Sequence, residues 1–133
     1  MKYIIQADRL IDGSGSEPLK NGAVVTEEGK IIKVCTSDQL TQSDKSNAEI
    51  LTVPGGSILP GFIEMHSHIH CSSEADAYEH ITTESNETFL LRGTQAVRAA
   101  LSSGVTTMRD LGSRNEVVFP LRQGISDGII PGP

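Results

Sequence analysis

Tryptophan is absent from this chain, and aromatic residues make up only 4% of its 133 residues. A binding surface rich in aromatic side chains is thereby excluded. Long apolar runs are also missing: none approaches the ~20 residues needed to span a bilayer. The start, Met1-Lys2-Tyr3-Ile4-Ile5-Gln6-Ala7-Asp8, turns polar too soon for a signal peptide. Positive charge is the minority sign, with 11 Lys and Arg against 17 Asp and Glu and a net charge of -6. An acidic chain repels phosphate backbones, which argues against a nucleic-acid partner. Two cysteines, Cys35 and Cys71, do not make a disulfide framework. Together these absences predict a cytoplasmic protein with free thiols, bound neither to membrane nor to nucleic acid.

What is present fits a folded globular chain, with 37% hydrophobic and 21% charged residues. Residues 1–56 read as a β-rich portion. Lys2 to Leu10 is an Ile-rich strand. Ala23-Val24-Val25-Thr26-Glu27 and Lys30-Ile31-Ile32-Lys33-Val34-Cys35 are β-prone runs joined at Glu28-Gly29, where glycine supplies the positive φ of a tight hairpin. Residues 37–48 are polar and irregular, with room for a short helical turn. Glu49-Ile50-Leu51-Thr52-Val53 is another strand, and Pro54-Gly55-Gly56 is expected to turn the chain. From residue 57 onward the pattern alternates strand and helix. Residues 86–103 carry Leu90, Gly93, Val97, Ala100 and Leu101 at spacings of three and four, the stripe of an amphipathic helix. Gly104 follows at a position suited to a left-handed cap. Val105-Thr106-Thr107-Met108-Arg109 is a second strand. Ser113-x-x-Glu116 has capping-box form and opens a helix toward Gln123, with Pro120 expected to delay or kink it. Alternating β and α units imply a parallel sheet with right-handed crossovers.

The stretch Ile58-Leu59-Pro60-Gly61-Phe62-Ile63-Glu64-Met65-His66-Ser67-His68-Ile69-His70 organises the rest. It is apolar until it ends in three histidines spaced two apart. In an extended strand, residues i, i+2 and i+4 face the same side, so His66, His68 and His70 project together if the strand lasts that far. Neighbouring neutral imidazoles on one face are placed to hold a single divalent ion. A histidine-rich loop without metal is the competing reading. The acidic stretch that follows contains Tyr78 and His80, which are candidates to touch a substrate but more commonly solvated loop residues.

Pro60-Gly61-Phe62-Ile63-Glu64-Met65-His66-Ser67-His68 resembles the signature of the amidohydrolase superfamily of metal-dependent hydrolases. Glu64 stands where that family more often has Asp. Gly104-Val105-Thr106-Thr107-Met108-Arg109-Asp110-Leu111-Gly112-Ser113 looks like the family's second barrel strand, especially in the imidazolonepropionase-like and prolidase-like branch. The resemblance implies a small N-terminal β-sandwich portion, residues 1–56, followed at residues 57–133 by the first two units of an incomplete (β/α)8 barrel. It implies that His66 and His68 are metal ligands, for one or two divalent ions in the complete protein, with zinc the leading choice. The family's remaining ligands are a lysine, two more histidines and an aspartate that also shuttles the proton. They come from later strands, and none of those positions falls in these 133 residues. The expected function is therefore the N-terminal part of a hydrolase that cleaves amide or cyclic amide C–N bonds, other than peptide bonds, with metal-activated water. No catalytic residue is expected within the chain, which is expected to be inactive alone.

The similar branch implies a small-molecule substrate of N-acyl amino acid or dipeptide-like type ending in a carboxylate. His70 and Arg109 are the candidates to touch it, and His70 and Cys71 could add weak local ligands. Parallel barrel strands expect neighbours on both sides, so a homo-oligomer, or association with the rest of a barrel, is expected. The alternative from another class is a non-catalytic metal-binding or interaction module built on the β-rich half.

Overall fold

The computed structural model describes residues 1–69 and 77–133, apart from the side chains of 77 and 78. His70 and Cys71 therefore lie outside the described residues, as does the Tyr78 side chain. The chain divides into two compact units, Met1–Pro60 and Gly61–Pro133.

In the first unit, strands β1 (Lys2–Leu10), β2 (Leu19–Glu27), β3 (Lys30–Thr36) and β4 (Ala48–Ile58) form one sheet in the order β3-β2-β1-β4. The β2–β3 hairpin closes on Glu28 and Gly29, both at positive φ (50° and 77°). That pair of angles gives the turn whose twist matches antiparallel strands. β1 is antiparallel to β2 but parallel to β4, so the sheet is mixed rather than wholly antiparallel. The reason is the connection: a 3-10 turn (Ser37–Gln39) and the short helix α1 (Gln42–Lys45) form the crossover that parallel strands require. Pro54-Gly55-Gly56 does not end β4. It forms an irregularity within the strand, opposite Asp8, whose carboxylate accepts the Gly55 amide at 3.1 Å. Ile4, Ala23, Val25, Cys35 and Leu40 make the core of this unit. Full burial of side chains such as Ile4 and Val25 contributes about 1.5–3 kcal/mol each, and Cys35 is a free thiol within that core.

The second unit carries the strand–helix alternation. Strands β5 (Phe62–Ser67) and β6 (Val105–Asp110) pair in parallel. Between them lie α2 (Ala77–Thr83) and α3 (Asn86–Ser102), and α4 (Asn115–Ser126) follows β6. Ser85 caps α3, its hydroxyl accepting from the Thr88 amide. The buried positions of α3 are Phe89, Gly93 and Val97, so the buried face is centred on Phe89 rather than Leu90, and Leu101 remains 37% exposed. This face packs on α4 and β6, and α4 buries Val117 and Leu121. The capping box expected at Ser113 and Glu116 does not form. Arg114 is the N-cap, without a side-chain cap, because the Ser113 hydroxyl is taken by Asp110. Pro120 sits inside α4, where it can donate no backbone bond.

Candidate metal centre at the end of strand β5

β5 and β6 set the geometry of the site. Gly61 opens β5, and a Cβ on it would collide with the Thr106 side chain. The Pro60-Gly61 lead thus lets the chain enter beside β6 at close approach. The Phe62 amide then bonds the Gly104 carbonyl at 2.9 Å. Further along, the three-residue step from Glu64 to Ser67 faces the two-residue step from Met108 to Asp110. An extra residue of this kind is a bulge, which bends a strand and re-aims its side chains. It falls on Met65 and His66.

His66 lies within β5 and is exposed; His68 lies just past the strand end and is partly buried. Their rings meet edge to face, with centroids 5.4 Å apart and planes at 68°. A zinc–nitrogen bond of about 2.0–2.1 Å places a ligand-ring centroid about 3.2 Å from the ion, so a tetrahedral centre needs two such centroids roughly 5.3 Å apart. The observed centroid spacing is of that size. Imidazole nitrogens are ligands suited to a borderline divalent metal. Among the described residues no cluster of three or more His, Cys, Asp or Glu side chains forms a fuller ligand set. Glu64 turns back to accept the His66 amide at 2.9 Å.

Arg109 lines a cavity of about 430 Å³ together with Arg122, Asn115 and Phe119; Ile69, Asp110 and Gly112, the neighbours of His68, line it too, while the two histidines themselves do not. His80 is paired with Glu84, Nδ1 to Oε1 at 2.9 Å, next to the Arg92 Nε–H, which is shared between the two Glu84 carboxylate oxygens, each at 2.9 Å. His80 thus belongs to a helix–helix corner rather than to the histidine pair.

The residue that sequence reasoning passed over is Asp110. It ends β6, and its carboxylate accepts from the Ile69 amide (2.8 Å), the Gly112 amide (3.0 Å), the Ser113 amide (2.8 Å) and the Ser113 hydroxyl. Burial pushes its carboxyl upward, but the Ser113 hydroxyl and the three amides outweigh this and hold it below the ordinary carboxylate value. The available signal was Asp110-Leu111-Gly112-Ser113 at a strand end, since Asp side chains bond amides two and three residues on in such turns.

The family model of the amidohydrolase family matches residues 57–133. No curated protein sequence matches the chain. Several solved structures resemble it. An A. niger ochratoxinase shares 26% identity at a TM-score of 0.81, over 99% of this chain and 30% of its own. A prolidase complexed with N-methylphosphonate-L-proline shares 26% identity at a TM-score of 0.81, over 100% of this chain and 30% of its own. A Xaa-Pro dipeptidase with methionine bound in its active site shares 26% identity at a TM-score of 0.83, over 100% of this chain and 32% of its own. The chain thus spans about 30% of the length of these structures. Each of them matches essentially the whole of this chain, so the sheet unit and the parallel strand–helix units seen here recur in all three. With the family model covering more than half of its residues, this chain belongs to the amidohydrolase family.

Proposed function

We propose that this chain supplies the first metal-binding strand of a divalent-metal hydrolase acting on C–N bonds, and that His66 and His68 are its ligands. The observation that carries the reading is the pair of imidazoles, 5.4 Å apart at the exit of β5, inside the segment that matches the family. A divalent ion bound there supplies a Lewis acid and lowers the pKa of water. The chain's own contribution is to hold two imidazoles at a strand end, with a bulge to aim them and a paired neighbour strand to keep them in place. Zinc suits a site that begins with two histidines.

The resemblance to a prolidase and a Xaa-Pro dipeptidase supports small substrates with an acylated nitrogen next to a carboxylate, such as N-acyl amino acids or Xaa-Pro dipeptides. Two strand–helix units do not enclose a substrate, so the 133-residue chain alone is expected to turn nothing over. The test is release of free amino acid from such substrates by the barrel-length protein that carries this chain, before and after dialysis against a chelator. Activity that disappears with the metal and returns with added zinc supports the reading. Hydrolysis that is indifferent to the chelator contradicts it.

A further inference from the structure

The geometry assigns Asp110 as a positioning residue for the histidine pair. The inference rests on the metal-ligand reading of His66 and His68 and goes beyond it, because the bonds of Asp110 go to backbone and serine beside His68 rather than to either ring. Its carboxylate joins the two strand exits. One oxygen, Oδ2, takes the Ile69 amide at 2.8 Å, directly after His68. The other, Oδ1, takes the amides of Gly112 and Ser113 at 3.0 and 2.8 Å. Between these anchors the Leu111 amide bonds the Ser67 carbonyl at 2.9 Å, directly before His68. The backbone on both sides of His68 is therefore tied to the 110–113 turn.

That turn also forms the seat of the His68 ring. A Cβ on Gly112 would lie 3.3 Å from His68 Cε1 and 3.4 Å from Nδ1, tighter than ordinary contact. Glycine at 112 lets the imidazole rest against bare backbone, and Asp110 holds that backbone through the Gly112 amide. A carboxylate suits this role because it is acceptor-only and can take several N–H and O–H donors at once. An amide at the same position offers one acceptor oxygen and an NH2 group that repels one set of donors.

The test uses the barrel-length protein that carries this chain, loaded with cobalt(II), whose visible absorption reports the ligand field directly. Asp110→Asn removes half of the acceptors without changing size. Gly112→Ala leaves every Asp110 bond in place but crowds the ring. Both are compared with wild type in cobalt affinity, cobalt spectrum and metal-free thermal unfolding. Loss of groups that orient metal-binding histidines typically costs roughly 10- to 100-fold in affinity. A weakening in that range is expected for Asp110→Asn, a smaller one for Gly112→Ala, and an altered spectrum for both. If both variants, folded, bind cobalt with wild-type affinity and spectrum, Asp110 is only a structural tie and the inference is overturned. If Asp110→Asn does not fold, Gly112→Ala decides alone. If wild type itself binds no cobalt, the ligand reading fails, and the positioning role fails with it.

Discussion

Gly61 shows how tightly single residues fix this site. A side chain there would run into Thr106 Oγ1 and Cγ2, and the strand pair leaves no slack because Phe62 and Gly104 are already bonded at 2.9 Å. Gly61→Ala is expected to cost about 1–3 kcal/mol, the usual scale of overpacking. Chemical denaturation would read this, and an unchanged midpoint would mean that β5 can shift away from β6. At this scale the sequence is partly legible. His66 and His68 stand out as imidazoles two apart at the end of an apolar run, although the bulge beside His66 and the end of β5 at Ser67 replace simple strand alternation there. Asp110 and Ser113 do not, because Ser113-x-x-Glu116 also satisfies a helix-capping pattern. Which use of the serine prevails depends on Ile69, a residue 41 positions from Asp110. His70 and Cys71 lie outside the described residues, and Arg109 lines a cavity that Ile69, Asp110 and Gly112 also line.

Among the elements, the corner between α2, α3 and α4 is held by Arg114. Its guanidinium donates to the Glu84 carbonyl and to Asn86 Oδ1, both at 2.9 Å, and to the Ile81 carbonyl. It also stacks over Phe89 at 4.5 Å. Arg114→Ala strands these partly buried acceptors, and a loss of about 1–3 kcal/mol is expected. Equal stability of the variant would show that solvent replaces the guanidinium freely. The same corner contains Glu84. The hydrogen bond from Arg92 is the main cause that holds its carboxyl below the ordinary value, against desolvation and with help from His80. A depressed folded value means that the contribution of this carboxylate is complete above the ordinary Glu range and is lost as pH falls through the lowered value. NMR titration should place the Glu84 midpoint below that of a free glutamate, and Arg92→Ala should raise it. A midpoint insensitive to that substitution would deny the pairing. β5, α3 and β6 were legible because their periods and the Gly104 boundary are local, whereas α2 was not, its residues reading as part of an acidic loop. The direction of β4 was not, because parallel pairing with β1 is decided by a crossover that no local pattern encodes.

The whole molecule exposes a good deal of apolar surface. Ile31, Ile63, Leu91 and Ile129 are 67%, 62%, 69% and 76% exposed. Among the described residues β5 and β6 pair only with each other, which leaves an outer edge on each. Open strand edges and apolar patches recruit other chains. Sedimentation at micromolar concentration is expected to show species heavier than the 14.2 kDa chain. A compact monomer that binds no hydrophobic dye would remove that expectation and favour a self-sufficient binding module. The two-unit plan was readable from the change of hydrophobic period along the chain. The exposure was readable only from the resemblance, since composition alone is that of an ordinary globular protein. The central claim, that His66 and His68 share one divalent ion, is tested most directly by metal analysis of the barrel-length protein that carries this chain. The account predicts that most of the bound metal is lost in His66→Ala and equally in His68→Ala, with both variants still folded. Metal content that survives both substitutions, or a folded wild-type protein that binds no divalent ion, would contradict it.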